Sequence, residues 1–480
     1  MFCGIDVGTT NIKFLIFDES FNVVFSKRTR TPIIKDKKQG DLLSAKKLID
    51  EILTFFKMIP ESLKGKIKAL GISSMGETIF PIAEDGSIIS DGMMWYNDKV
   101  MDEFKSFTDR ISTEFVFKKT GLWPSWIFSV FKMMNFYRKH SEASSKIYKW
   151  LDVSSFLAYV LTGNVGMDKS LSSRTLLVNV KTGDWDKELL EISEIPRKHL
   201  PEIVNCGINR GTIRKKIAEQ IGISKNVVVT TAGQDHITAS YAVGVHGENK
   251  VLNSSGTTEA VLWTVEKETM KRYIEKAPKI FQGGFHCIPE KYYVLGGIPT
   301  GGFCIEWLIN KILKTSYSIF NGFKYEKSSV YFFPYLRGIF DRSDFRGAFL
   351  NLKDSDDQNS IISAILEAIA FEIKSYLKKL EELGLGNYEI VAVGGGTRLK
   401  EILKIKASIF KVPIKVLNNY ESTALGAAMV SAITTGDFES WDFIPKNVTN
   451  AFEVFYPDND NYFEEKYMAY LELRKKLYGF

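Results

Sequence analysis

The sequence predicts an α/β protein built from two similar lobes around a shared cleft, and three observations carry that expectation. The chain opens with an apolar run, the turn Asp6-Val7-Gly8-Thr9-Thr10-Asn11 and a second apolar run ending at Asp18, the pattern of two strands joined by a tight turn. The same plan returns from Val251 to Trp263, where Ser255-Gly256-Thr257-Thr258 joins two apolar runs, and internal repetition outweighs any single-copy reading. Finally, 480 residues with 45% hydrophobic and 25% charged content exceed one simple core and suit a globular chain of two domains. The expected lobes are residues 1–245 and 246–480.

The first turn has the chemistry of an anion site. Backbone N–H groups around Gly8, with the Thr9 and Thr10 hydroxyls, form a nest for phosphate oxygens, and Asp6 at its lip suits a hydrated cation. Alone, the stretch reads equally well as an ordinary glycine turn between strands. The second copy favours the phosphate loop.

Composition excludes other classes. The net charge of +6, from 63 basic and 57 acidic residues spread along the chain, suits an anionic ligand. No basic tail or aromatic and basic interleaving marks a nucleic-acid module. Cys3, Cys206, Cys287 and Cys304 are scattered without a CxxC pair, as in a reduced intracellular protein. No signal peptide precedes the first strand and no apolar run is long enough for a bilayer, so the expectation is a cytoplasmic protein with no membrane partner.

In the first half, Leu42 to Ile59 has a helical apolar face ended by Pro60, and Lys68 to Met75 reads as a strand entering a polar loop with Gly76 and Glu77. Trp95, Asn97, Asp98 and Lys99 combine a ring, an amide, a carboxylate and an ammonium, equipment for gripping a hydroxylated ligand. A buried tryptophan with solvated neighbours is the competing reading. Ser129 to Tyr137 and Tyr148 to Leu161 read as helices, and the Ser-rich Asp168 to Arg174 as a loop wall or cleft lining. Arg214 to Gln220 is helical and closed by Gly222. The β-branched run Val227 to Thr231 is a strand that empties into Gly233-Gln234-Asp235-His236 before a helix over Ile237 to Val243. An acid at that strand end is where α/β proteins place their chemistry, although an N-cap aspartate would fit the same spot. His236 has no metal-ligand spacing around it and receives no zinc role.

In the second half, Gly244 to Lys250 is the expected crossing between lobes. A strand over Tyr292 to Gly297 turns at Thr300-Gly301-Gly302 into the amphipathic Phe303 to Leu313, and Val330 to Leu336 runs into a loop charged with Arg342, Asp344 and Arg346. Ile361 to Leu383 is the longest helix pattern. The strand Glu389 to Val393 meets Gly394, Gly395 and Gly396 ahead of a helix over Leu399 to Phe410, and such glycines let backbone approach a flat ligand or a phosphate. After a short strand at Ile414 to Leu417, the small residues from Ser422 to Ala428 allow close packing against a neighbour or a nucleotide, and a final helix covers Tyr462 to Lys476.

These pieces, in this order, resemble the FGGY carbohydrate kinases over nearly the whole chain. The resemblance rests on the Asp6 to Lys13 loop, Leu161-Thr162-Gly163, Ser173-Arg174-Thr175, Gly233-Gln234-Asp235, Ser255 to Thr258, Pro334 to Gly338, Gly394 to Gly396, and Glu421 with Gly426-Ala427-Ala428. It implies the duplicated actin-like, ribonuclease-H-like ATPase fold, with ATP and Mg²⁺ as cofactors and a homodimer as the assembly. It also implies that Gly8, Thr9, Thr10, Asn11 and Lys13 in one loop, and Gly256, Thr257 and Thr258 in the other, clamp the phosphates. Gly301, Gly394, Gly395, Gly396 and Thr397 would cradle the nucleotide. Asp6 and Asp235 would hold the metal, and Asp235 would be the catalytic base. Substrate would lie near Ser74, Met75, Glu77, Trp95, Asn97, Asp98, Asp235 and His236.

Departures from the family pattern put a pentulose acceptor in doubt. Ser74-Met75-Gly76-Glu77 stands where relatives carry Gln-Met-His, and Trp95, Asn97 and Lys99 stand where they carry Trp, Asp and Arg, with Asp98 one place late. Ile402, Lys404 and Ser408 replace the frequent Trp, Gln and Asp, and Gly338-Ile339-Phe340 the common Gly-Glu-Arg. A small sugar, polyol or sugar acid is the expected acceptor. Lys13 could serve phosphate or only the surface, and Lys99 could meet a substrate carboxylate or Asp98. An actin-like ATPase driving partner binding, or a sugar sensor with a degenerate site, are the competing functions. The retained Asp6, Asp235 and both Gly-Thr-Thr turns argue for the kinase.

Overall fold

A computed structural model describes residues 1–276, 278–339, 344–417, 421–458 and 460–480; Phe340 and Arg342, singled out above, lie outside the described residues. The chain forms two compact units, one of Met1–His246, Val265–Tyr293 and Tyr420–Asn450, the other of Gly247–Thr264, Val294–Asn419 and Ala451–Phe480.

In the first unit the opening hairpin, Phe2–Val7 with Asn11–Phe17, is antiparallel. It is extended on one side by Val23–Arg30 and on the other by two parallel strands, Ala69–Ser74 and then Val228–Gln234. The strands with fully buried residues on both faces, Phe2–Val7 and Ala69–Ser74, lie inside the sheet, as near-continuous apolar runs should. One face is covered by the helix Ala45–Lys57, whose Leu48, Ile52, Phe55 and Phe56 join Ile5, Phe14 and Ile72 in the core. Phe56 meets Phe14 edge-on at 4.9 Å.

Ser422–Thr434 is a helix whose backbone lies directly on two strands. A methyl group on Gly4 would overlap the Ala424 carbonyl, one on Gly71 the Ala427 carbonyl, and one on Gly426 the Thr238 carbonyl. Glycine and alanine at these places are therefore the condition for the contact.

The second unit has an antiparallel hairpin, Lys250–Ser255 with Glu259–Val265, flanked by Tyr292–Ile298 on the side of its second strand. On the other side Glu389–Val393 and Ile414–Leu417 follow in parallel, and Phe452–Phe455 closes the edge antiparallel. Gln358–Glu382 is the longest helix, started by Asp357, whose carboxylate accepts the Asn359 and Ser360 N–H groups. Among the described residues no helix is long and apolar enough to cross a membrane.

Several local expectations are corrected. The helix expected over Leu42 to Ile59 begins at Ala45, because Gly40–Leu43 is a strand. Tyr148 to Leu161 is a strand, Lys149–Asp152, paired with Ile79–Ile82, followed by a helix over Val153–Thr162 that Asp152 caps. The expected loop from Asp168 to Arg174 contains the helix Lys169–Ser173, capped by Asp168, in which Ser173 donates back to the Ser170 carbonyl at 2.7 Å. Phe303 to Leu313 starts as an α-helix at Gly301 and widens to a π-helix over Leu308–Leu313.

Asp152 and Asp168 are both buried, near Arg210. Burial, reinforced by the Asp168 charge, raises the Asp152 carboxyl from 3.8 to about 7. The folded chain therefore binds more protons than the unfolded chain between those values, and stability falls as pH rises through them. Thermal melting is expected to give a wild-type melting temperature that, taken relative to Asp152→Asn, declines between about pH 4 and about pH 7 and levels off above. Gly71→Ala is expected to lower the urea unfolding free energy by ~3 kcal/mol, since strand or helix backbone must move to admit the methyl group.

Candidate active site

Three parallel strands of the first unit end together. Asp6 lies in register with Ser73, and Ser73 with Gly233. The third strand carries a bulge between Thr231 and Gly233, and Gly233 has a φ of +98°, a conformation that favours glycine. Ser73 Oγ donates to the Gly233 carbonyl at 2.9 Å, Thr238 Oγ1 to the Ala232 carbonyl at 2.8 Å, and Ser170 Oγ accepts the Gln234 N–H at 3.1 Å. The bulge is thus pinned from several sides. Asp235 follows it as the first residue of the helix Asp235–Ala242, half-buried, its Oδ1 accepting the His236 N–H at 2.8 Å. The N-cap is Gln234, so Asp235 does not serve as the cap.

Asp6 is 4% exposed, and its Oδ1 has no hydrogen-bond partner. Its Oδ2 lies 3.3 Å from Lys13 Nζ, the residue opposite it across the hairpin, and Lys13 reaches Glu421 at 2.8 Å. Burial raises the Asp6 carboxyl to about 6; Lys13 opposes the rise and the Asp235 charge adds to it. A buried carboxylate with an unused oxygen, within electrostatic reach of the Asp235 carboxylate, is a hard oxygen donor that fits Mg²⁺, which commonly takes one or two carboxylates and completes its shell with water and phosphate. Among the described residues no group of three or more His, Cys, Asp and Glu side chains could enclose a metal.

The first turn is tight. Gly8 N–H donates to the Asn11 carbonyl at 3.0 Å, and Thr31 Oγ1 donates to the Gly8 carbonyl at 2.6 Å. Trp95 is half-buried and its indole N–H donates to Thr9 Oγ1 at 2.9 Å, which ties the expected acceptor loop to the first Gly-Thr-Thr turn.

The remaining expected acceptor residues divide. Glu77, at a positive φ of 64°, is buried and paired with Arg174, whose Nε donates at 2.6 Å and whose guanidinium lies 5.0 Å from the Phe128 ring centroid. Ser74 and Met75 are buried, Ser74 accepting from Ser154 Oγ at 2.8 Å. His236 is half-buried beside Asp235. Asn97 does not join this set: its amide donates to the Gln39 and Asp41 carbonyls at 2.8 and 3.0 Å and its oxygen accepts the Lys99 N–H. Asp98 is exposed at the start of the following turn. Arg174 was legible only through the resemblance, and Lys132 through nothing. Buried Lys132 donates to the Ile127 carbonyl at 2.5 Å, and burial pulls its ammonium down to about 7 against the pull of Glu77.

In the second unit, Gly256 N–H donates to the Thr258 carbonyl at 3.0 Å and closes the second turn. Gly302 N–H donates to the Gly256 carbonyl at 2.9 Å, and Phe303 N–H to that of Thr257 at 3.1 Å. A side chain on Gly301 would strike Glu259, one on Gly394 the Ser255 carbonyl, and one on Gly396 the Ser255 hydroxyl, whereas Gly395 faces open space. Thr397 Oγ1 donates to the Gly394 carbonyl at 2.8 Å. Gly256 to Thr258, Gly301 and Gly394 to Thr397 are therefore brought together around Ser255.

Known proteins resemble the chain along nearly its whole length. The xylulose kinase of Staphylococcus xylosus is 24% identical over 484 residues, 99% of each chain. The gluconokinase of Bacillus subtilis is 23% identical over 92% of this chain and 89% of its own. The crystal structure of Plasmodium falciparum glycerol kinase with ADP superposes with a TM-score of 0.88 at 23% identity, covering 99% of this chain and 97% of that one. The N-terminal domain model of the FGGY family of carbohydrate kinases matches residues 1–242 and the C-terminal domain model residues 251–435. The chain belongs to the FGGY family of carbohydrate kinases.

Proposed function

We propose that this carbohydrate kinase uses Asp235 as general base to phosphorylate a hydroxyl of a small sugar, polyol or sugar acid with ATP. The observation that carries the reading is the convergence of Asp6 and Asp235 at the same end of two parallel strands that flank Ala69–Ser74, near enough that the Asp235 charge helps to raise the Asp6 carboxyl. Phosphoryl transfer asks the protein for alignment, charge neutralisation and a base, and little covalent chemistry.

In this reading the Gly8 to Asn11 backbone and the Thr9 and Thr10 hydroxyls hold phosphate oxygens, with Lys13 adding charge. Gly256, Thr257 and Thr258 do the same in the second unit, where Gly301 and Gly394 to Thr397 receive the nucleotide. Asp6 and Asp235 would hold Mg²⁺, which neutralises phosphate charge when bound. Glu77, oriented by Arg174, accepts hydrogen bonds from acceptor hydroxyls, and Trp95 covers the acceptor beside the turn. Asp235 takes the proton as the acceptor oxygen bonds to the γ-phosphorus. The bond from that phosphorus to the bridging oxygen breaks, and its electron pair leaves with ADP.

The two units also read as a duplication. Each has an antiparallel hairpin turning through Gly-Thr-Thr, an added strand beside the second hairpin strand and two parallel strands beside the first. An ADP-release assay with ATP, Mg²⁺ and a panel of pentuloses, hexuloses, polyols and sugar acids tests the function. At least one acceptor is expected to give turnover, and Asp235→Asn to lower kcat by about 10²–10⁴-fold while ADP still binds. Full activity in Asp235→Asn would remove it as the base.

A further inference from the structure

Lys406 is fully buried on the helix Lys400–Phe410, among Ile402, Leu403, Ile405 and Ile409, where an aliphatic side chain would pack. Its ammonium has three N–H donors, and three acceptors lie within reach: Glu259 Oε1 at 2.5 Å, Asn253 Oδ1 at 2.9 Å and Ser255 Oγ at 3.3 Å. Glu259 is 1% exposed. It accepts from Asn253 Nδ2 at 2.7 Å on Oε1 and from Ser255 Oγ at 2.9 Å on Oε2. The network closes on itself.

Its place in the chain gives it a task. Ser255 and Glu259 are the last paired residues of the second hairpin, so they bracket Gly256, Thr257 and Thr258. Ser255 is also the residue against which Gly394 and Gly396 pack. One buried ion pair thus joins the hairpin turn, the triple-glycine turn and the helix that follows it. A buried pair of this kind is seldom worth more to stability than well-packed aliphatic groups of the same volume, but its hydrogen bonds are directional where aliphatic contacts are not.

We infer that Lys406 and Glu259 are positioning residues for nucleotide binding: through the Ser255 hydroxyl they hold the Gly256 to Thr258 turn and the Gly394 to Gly396 turn in one mutual arrangement. This rests on reading Gly256 to Thr258 as a phosphate loop. Neither side chain need touch the nucleotide.

The test is steady-state kinetics on the full chain carrying Lys406→Met with Glu259→Leu, and separately Ser255→Ala, each first checked by thermal melting. The double substitution removes both charges together, so neither is left buried alone. The expected result is an unchanged or higher melting temperature for the double variant. In both variants, KM for ATP rises about tenfold while KM for the acceptor changes less than about twofold, the signature of displaced loops. Calorimetric titration with ADP is expected to weaken by the same factor. A folded double variant with wild-type KM for ATP and wild-type ADP affinity would overturn the inference and leave the pair a packing feature. If the double variant does not fold, Ser255→Ala decides on the same criteria. Wild-type protein that binds no ADP would instead overturn the phosphate-loop reading.

Discussion

The carbonyl oxygens of Ala424 and Ala427 sit where side chains of Gly4 and Gly71 would be, and the first unit depends on that approach. It lets the helix Ser422–Thr434 lie with its backbone against the two strands at the centre of the sheet. The same helix then begins beside the strand ends. Glu421, just before it, meets Lys13, and Thr423 Oγ1 donates to the Asp235 carbonyl at 3.4 Å. Close packing therefore sets the electrostatics of the candidate site as well as the stability of the sheet.

Those electrostatics are balanced around two acids. Lys13 lies between Asp6 and Glu421, which lets Asp6 stay buried without a full set of hydrogen bonds. The unused Asp6 oxygen is a cost in an isolated protein and an asset in a metal-assisted one. In the second unit the corresponding turn is braced differently, by a closed ion-pair network under Ser255. Each Gly-Thr-Thr turn is thus flanked by its own local set of contacts.

Much of this was legible in the sequence because it is local. The hairpins announce themselves by apolar runs around Gly8 and Gly256, and the strand into Asp235 by Val227 to Thr231, a β-branched run followed by Ala232 and Gly233. The triple glycine declared its close approach, although not that Ser255 is what it approaches. Pairings across long separations were hidden. Nothing near Glu77 points to Arg174, and Lys406 reads as one more lysine on a helix rich in them. Lys149–Asp152 falls inside the helical reading of Tyr148 to Leu161, and only its pairing with Ile79–Ile82 makes it a strand. The serines from Ser170 to Ser173 looked like a loop, yet their hydroxyls turn back onto the backbone of a short helix or hold strand Gln234. Asn97 reads in sequence as a ligand for sugar hydroxyls, but its amide N–H groups are taken by the Gln39 and Asp41 carbonyls and its oxygen by the Lys99 N–H.

A carbohydrate kinase transfers the phosphoryl group to an acceptor hydroxyl rather than to water. Phosphorus NMR of the protein with ATP, Mg²⁺ and an active acceptor measures it directly. A phosphomonoester resonance is expected to grow in step with ADP while inorganic phosphate stays minor. Inorganic phosphate as the sole new species, at the same rate with and without acceptor, would contradict it.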